Sequence, residues 1–173
     1  MTDSTGATTR PANAAPADGV EPTTNLAPTG ISASRPPKPP SRVTVSWEGE
    51  QRMRAAREGG GGEIVLDGAS RAGPSPVETL AMALGACVSM DVVDYLAKRR
   101  TPPTRYDVDV VADRANAVPA RIVAVRMTFR ISGAGIDRAH AERAITLAID
   151  KYCSVKESLD PAIPIDWTLE LDA

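Results

Sequence analysis

The sequence predicts an α+β domain with the element order βββ-α-ββ-α-β. Short segments of alternating apolar and polar residues predict the strands, and two longer segments with capping signals predict the helices. The strands follow one another in groups instead of alternating with helices. That order favours an antiparallel sheet over a doubly wound parallel one, and we expect the sheet to wrap around a long central helix.

The character of the chain changes at about residue 40. Residues 1–40 hold 8 of the 15 prolines and no aromatic residue, so they cannot bury enough apolar surface to offset their ordering entropy. We expect a disordered tail over 1–40 and one domain over 41–173, which is a typical single-domain length. The tail lacks a charged segment followed by an apolar one, so we do not expect a secretory signal.

Three short strands are predicted at the start of the domain. Val43, Val45 and Trp47 alternate with polar residues, which indicates a half-buried strand. A turn then leads to a second strand near residues 52–55. Four glycines separate that strand from a third one at 63–66.

The first helix begins with a strong signal and continues with the most apolar run of the chain. Ser75 and Glu78 form a capping box, with Pro76 at the first helical position. Every residue from 80 to 88 is apolar or glycine, so we expect a helix to about Arg100 that is buried on all sides. The sheet of a second copy of the chain would supply the extra cover.

The remaining elements complete the predicted order. Alternation predicts strands at 106–110 and 123–131, with a turn near 116–119. Asp137 caps a second helix that runs to about Cys153, and a last strand follows at 165–171. The predicted apolar face of the second helix consists of Ala141, Ala144, Ile145, Ala148 and Tyr152.

Composition excludes several classes of function. The formal charge is −2, which gives no electrostatic case for nucleic acid or an anionic membrane as a partner. No apolar run approaches transmembrane length, so we expect no transmembrane helix. With two cysteines and one histidine, one chain cannot build a tetrahedral zinc site from those residue types. His140 has no companion ligand and is expected to be a surface residue without a role.

Cys87 and Cys153 are the candidate reactive residues, 66 positions apart. They are either two small buried apolar side chains or a redox pair. A reactive Cys87 needs a nearby cation, because it lies twelve residues beyond the helix start and the helix dipole fades within one turn. Asp91, four residues further on, opposes ionisation of Cys87 unless it is itself paired.

Four arginines are candidates for that cation. Arginine suits a half-buried site because it stays charged and offers a planar fork of donors. We expect Arg57 and Arg71 to be solvated instead. Glu78 either serves only as the helix cap or also orients the activating arginine. The four candidates precede the first helix: Arg52, Arg54, Arg57 and Arg71.

The segments around the two cysteines resemble the motifs of a known family. Residues 73–80 read GPSPVETL, 83–87 read ALGAC, 91–93 read DVV and 151–159 read KYCSVKESL. These motifs at this interval resemble the central helix and second-cysteine segment of the OsmC/Ohr family, named after osmotically inducible protein C and organic hydroperoxide resistance protein. The similarity covers about residues 42–172. Asp91 is typical of the OsmC-like branch.

The resemblance implies an activity and a set of site residues. Cys87 would attack the O–O bond of an organic hydroperoxide and become a sulfenic acid, which Cys153 resolves as a disulfide. A dithiol, from a lipoyl protein or a thioredoxin-like one, would then reduce the disulfide. Arg52, with Arg54 as the alternative, and Glu78 would hold the thiolate, although Glu78 stands one residue later than the family's glutamate.

The resemblance also implies an intertwined homodimer in which both subunits build each active site, with no metal or organic cofactor. We expect a cytoplasmic protein that binds neither nucleic acid nor membranes. Two alternatives stay open. One is a non-enzymatic dimer of the same fold that binds a small molecule or lipid, or that senses thiol oxidation, near Cys87. The other is a structural role in which both thiols are inert.

Overall fold

The computed structural model describes residues 37–172. Residues 1–36 of the predicted tail lie outside the described residues, and 37–40 are exposed and without regular structure. From Ser41 onward the elements follow the order βββ-α-ββ-α-β, with one short additional helix before the last strand. The predicted α+β class and element order are confirmed.

The first sheet contains β1 (Val43–Trp47), β2 (Arg52–Arg57) and β3 (Glu63–Asp67), which pair antiparallel in chain order. All five residues of β1 are exposed, and Trp47 is 69% exposed. The prediction of a half-buried first strand is therefore wrong for the single chain, because residues 37–172 provide no cover for its apolar side chains.

Helix α1 (Pro76–Lys98) begins as the capping box predicts. The backbone N–H of Glu78 donates to Ser75 Oγ at 3.3 Å, and the backbone N–H of Ser75 donates to Glu78 Oε2 at 2.6 Å. The helix ends two residues earlier than predicted, because Arg100 adopts a left-handed φ of 65°. Local capping chemistry thus defines the start of the central helix.

Only one face of α1 is buried. Leu84, Val88, Val92 and Leu96 are at most 1% exposed. On the opposite side Met82 is 58% and Met90 is 72% exposed. The expectation that the domain buries α1 on all sides is therefore wrong for the single chain, because both sheets and α2 together cover only half of the helix.

By length and composition, α1 is the one helix within residues 37–172 that is apolar enough to cross a membrane, with a mean hydropathy of 1.6 over the best window. The expectation that no segment is long and apolar enough for a transmembrane helix is therefore wrong by these two criteria. Gly85 of this helix packs closely on strand β4 (Arg105–Arg114), since a Cβ atom there would lie 2.9 Å from Val110 Cγ2. The buried stripe and this close approach identify α1 as the core helix of the domain.

The second sheet has the order β4-β5-β6, with β5 at Ile122–Ser132 and β6 at Ile165–Asp172. Strands β4 and β5 pair antiparallel as predicted, whereas β5 and β6 run parallel, with Met127 opposite Trp167. The parallel pairing differs from the predicted antiparallel sheet. Its physical reason is the helical crossover between β5 and β6, which returns the chain to the same end of the sheet.

That crossover consists of α2 (Arg138–Leu147), a π-helical turn (Ala148–Tyr152) and α3 (Ser154–Glu157). Asp137 caps α2 as predicted, by accepting a 2.9 Å hydrogen bond from the backbone N–H of His140. The predicted apolar face is buried except for Tyr152, which is 53% exposed. The π turn explains this exception, because it changes the helical period just before Cys153.

Candidate functional site

The fold brings the two cysteines together. Cys87 lies in the middle of α1 and is half-buried, whereas Cys153 follows the π turn and is 3% exposed. Both are free thiols. Burial above all, and then the neighbouring Cys87 side chain through hydrogen bonding and charge, raise the pKa of Cys153 to about 11. The two thiol groups are therefore neighbours in space, although 66 residues separate them in sequence.

Backbone geometry fixes the position of the Cys153 sulfur. The π turn closes with a 2.9 Å hydrogen bond from the backbone N–H of Cys153 to the carbonyl of Ala148. Cys153 then adopts an extended conformation and becomes the N-cap of α3, where its Sγ accepts a hydrogen bond from the backbone N–H of Lys156 at 3.3 Å. This capping role has no signal in the sequence beyond the Cys-Ser-Val segment itself.

Asp91 lies one helical turn beyond Cys87 and is half-buried. Side chains four residues apart on a helix are neighbours, with Cβ atoms about 5–6 Å apart. No lysine or arginine within residues 37–172 forms a salt bridge with Asp91. The Asp91 carboxyl group, one turn from Cys87, therefore forms no salt bridge within the described part of the chain.

The predicted activating arginines lie elsewhere in the single chain. Arg54 Nε donates to Glu48 Oε1 at 2.5 Å, its guanidinium also pairs with Glu63, and both carboxylates raise the pKa of Arg54. Arg52 is exposed and stands opposite Asp67 across β2 and β3. No hydrogen bond joins either arginine to Cys87 within residues 37–172. Arg57 and Arg71 are exposed, as expected.

Glu78 serves as a helix cap. Its Oε2 accepts hydrogen bonds from the Ser75 backbone N–H and from Ser70 Oγ at 3.0 Å, and these bonds lower its pKa. It precedes Cys87 by nine residues of α1, which places it about 13 Å away along the axis and on the opposite side of the helix. The single chain therefore does not bring Glu78 to the thiols.

A buried aspartate that the sequence analysis did not select shapes the loop before α1. Asp67 is 4% exposed, and its carboxylate accepts hydrogen bonds from three backbone N–H groups that follow it. These bonds lower its pKa and hold the loop that brings Ser70 to Glu78. An Asp-Gly pair after a strand is a turn signal and was the available clue. The donors are the backbone N–H groups of Ala69 at 2.8 Å, Arg71 at 3.2 Å and Ala72 at 3.0 Å.

An apolar cavity of about 260 Å³ lies between the first turns of α1, the start of β5 and the segment after α3. At its rim Arg121 and Asp160 approach to 4.0 Å. No local sequence pattern marks this cavity, because its walls come from three distant segments. The apolar lining residues are Val77, Leu80, Ala120, Ile122, Leu159 and Ile163.

Two further expectations concern histidine and metals. His140 is on the surface beside Asp137, which fits the expectation of an ordinary surface residue. Within residues 37–172, no group of three or more His, Cys, Asp or Glu side chains could hold a metal ion.

Comparison with known proteins identifies the family. Residues 67–168 match the family model described as OsmC-like protein. The chain belongs to the OsmC-like protein family. Protein YhfA of Escherichia coli K12 is 33% identical to it over 114 residues, which cover 65% of this chain and 85% of the relative. The predicted family is thereby confirmed.

Solved structures show the same fold for this OsmC-like protein. The OsmC-like protein of Mycoplasma pneumoniae superposes with a TM-score of 0.67 at 15% identity, covering 78% of this chain and 99% of the neighbour. The organic hydroperoxide resistance protein OhrB of Bacillus subtilis gives a TM-score of 0.53 at 13% identity, covering 76% and 98%. At these identities the likeness is one of fold.

Proposed function

We propose that this OsmC-like protein is a thiol peroxidase that reduces organic hydroperoxides through Cys87, with Cys153 as the resolving residue. The observation that carries the proposal is that two free thiols from distant segments are neighbours, one half-buried and one buried. Some proteins with this fold are named organic hydroperoxide resistance proteins. The order of reaction follows from exposure, because the half-buried Cys87 is the thiol that a peroxide reaches first.

The proposed cycle balances with a dithiol as the reductant. The Cys87 thiolate attacks one oxygen of the peroxide, the O–O bond breaks, and the alkoxide takes a proton and leaves as the alcohol. Cys153 then attacks the sulfenic sulfur of Cys87, the S–O bond breaks, and water leaves as the disulfide forms. A lipoyl or thioredoxin-like dithiol restores both thiols by exchange.

The proposal includes a homodimer. Exposed apolar residues on α1 and β1, such as Met90 and Trp47, form the surface that a second copy would cover. The cation that Cys87 needs would then come from Arg52 or Arg54 of the other copy, since both arginines lie away from Cys87 in their own chain. The same cation would neutralise Asp91, which has no ion pair within residues 37–172.

The proposal is tested by the mass of the reduced protein after one equivalent of cumene hydroperoxide or of hydrogen peroxide. We expect a loss of two hydrogens, with Cys87 and Cys153 joined in a peptide map and a faster reaction with the organic peroxide. In the Cys153→Ser control the reaction should stop with one added oxygen, and in Cys87→Ser it should not start. An unchanged mass with both thiols free would contradict the proposal.

A second candidate function is the binding of an apolar small molecule without turnover. The cavity of about 260 Å³ beside α1 favours it, because six of its eight lining residues are apolar. Retention of an added fatty alcohol by a protein that leaves peroxide unconsumed would support this candidate over the peroxidase. Peroxide consumption that is lost in Cys87→Ser would exclude it as the main function.

A further inference from the structure

Cys153 belongs to the thiol pair and is also the N-cap of α3. We propose that the redox state of Cys153 controls the order of residues 154–163: the reduced sulfur holds α3 in place, and formation of the disulfide with Cys87 releases it and opens the apolar cavity beside it. The redox part of this inference rests on the disulfide of the proposed function. The capping part stands on the reduced structure alone.

The Cys153 sulfur is one anchor of this segment, beside the packing of Val155, Leu159 and Ile163 against the core. Helix α3 has only four residues, none of them buried, and a helix of this length is not stable by itself. Its first turn receives one side-chain cap, the 3.3 Å hydrogen bond from the Lys156 N–H to Cys153 Sγ. From 153 to 163 only Cys153 is fully buried, whereas Val155, Leu159 and Ile163 are half-buried. Few buried contacts characterise segments that open locally.

Disulfide formation competes with the cap for the same atom. One hydroperoxide converts the two thiols into a disulfide, an alcohol and water, and the new S–S bond draws the sulfur atoms closer than nonbonded contact allows. Since Cys87 is fixed within the 23-residue helix α1, the adjustment falls mainly on Cys153. Its Sγ leaves the position from which it accepts the Lys156 N–H, and α3 loses its cap.

The released segment forms one wall of the apolar cavity. The backbone N–H of Leu159 donates to the Lys156 carbonyl at 3.0 Å, so this residue is tied directly to the last turn of α3. Leu159 and Ile163 line the cavity together with Val77 and Leu80 from α1. When α3 loosens, these α1 side chains lose their cover. The oxidised protein therefore exposes more of the apolar surface beside the start of α1 than the reduced protein, in which Leu80 is already 39% exposed.

The coupling works in both directions. A molecule that binds only when the α3 wall is closed favours the reduced protein by the same factor by which reduction favours its binding. The cavity and the thiol pair are therefore linked sites, connected by α3.

Hydrogen exchange on the full chain tests the redox part. Reduced protein is compared with protein oxidised by cumene hydroperoxide, after the disulfide has been verified by mass. Peptides that cover residues 154–163 should exchange at least about tenfold faster in the oxidised protein, while peptides from β4 stay unchanged as the internal control. A verified disulfide with unchanged exchange over 154–163 would overturn the inference.

Three variants test the cap independently of turnover. Cys153→Ser keeps an oxygen cap and cannot form the disulfide, so exchange over 154–163 should stay slow with or without peroxide. Cys153→Ala removes the cap and should exchange fast without any oxidant. Cys87→Ser keeps the Cys153 cap and should stay slow after peroxide treatment. Equal exchange over 154–163 in Cys153→Ser and Cys153→Ala would refute the capping role, provided that both variants show native circular dichroism.

The two proposals fail in different ways. If no disulfide forms in the unaltered protein, the proposed function fails and the redox control falls with it, but the comparison of Cys153→Ser with Cys153→Ala still decides the cap. If the disulfide forms and residues 154–163 keep their protection, the peroxidase stands and the further inference is wrong.

Discussion

Replacement of Met90 by glutamate tests whether a second copy covers the exposed face of α1. Met90 is 72% exposed in the single chain, so most of the gain from burying a methionine, about 1.5–3 kcal/mol, is still available to an interface. A symmetric dimer contains the residue twice. The interface therefore loses about 2–4 kcal/mol, and the unpaired carboxylate adds a further cost when it is buried. We expect the dissociation constant of the dimer to rise by about 30-fold to 1000-fold from the lost burial alone.

Sedimentation velocity over a wide range of concentrations measures this change. Met90→Leu should associate like the unaltered protein, because it keeps the apolar volume. Val118→Glu is the charge control, since Val118 is fully exposed in the turn between β4 and β5. A chain that is monomeric at every concentration, or a Met90→Glu variant that associates as strongly as Met90→Leu, would refute the reasoning.

The remaining predictions concern stability, pH and reactivity. Leu84 is 1% exposed, so Leu84→Ala should lower the free energy of unfolding by about 2–5 kcal/mol in a urea titration; a loss below about 1 kcal/mol would contradict the assigned core. Because burial and the Cys87 side chain raise the pKa of Cys153 from 9.0 to about 11, the unfolded chain ionises first, and stability should fall as the pH rises from about 9 to about 11. The Cys153→Ser variant should lack this fall in stability. If its stability depends on pH in the same way as that of the unaltered protein, the assignment of the raised pKa to Cys153 is refuted. Asp91→Asn should speed alkylation of Cys87 by iodoacetamide several-fold, whereas Asp94→Asn, which removes an equal charge from a carboxylate paired with Lys98, should not. Equal rates in both variants would show that Asp91 does not act on Cys87.

Local chemistry made the start of α1 predictable. The capping box needs only residues within one turn of each other, and both of its hydrogen bonds are present. The same holds for Asp137 at the start of α2 and for the alternation of more buried and more exposed side chains in β4, β5 and β6. The residues of β1 also alternate in sequence, but that pattern anticipates a cover that the single chain does not contain.

The sequence by itself determined the element order, the family and the two candidate thiols, because each of these depends on short motifs and on periodicity within one element. The tertiary structure alone decided which face of α1 is buried, that β6 runs parallel to β5, and that Glu78 and the arginines of the same chain make no hydrogen bond with Cys87 within residues 37–172. It also decided that the Cys153 sulfur caps α3 and that Asp67 organises the loop before α1. These features depend on contacts between segments far apart in the chain, and no local pattern encodes the distance or the direction of such contacts.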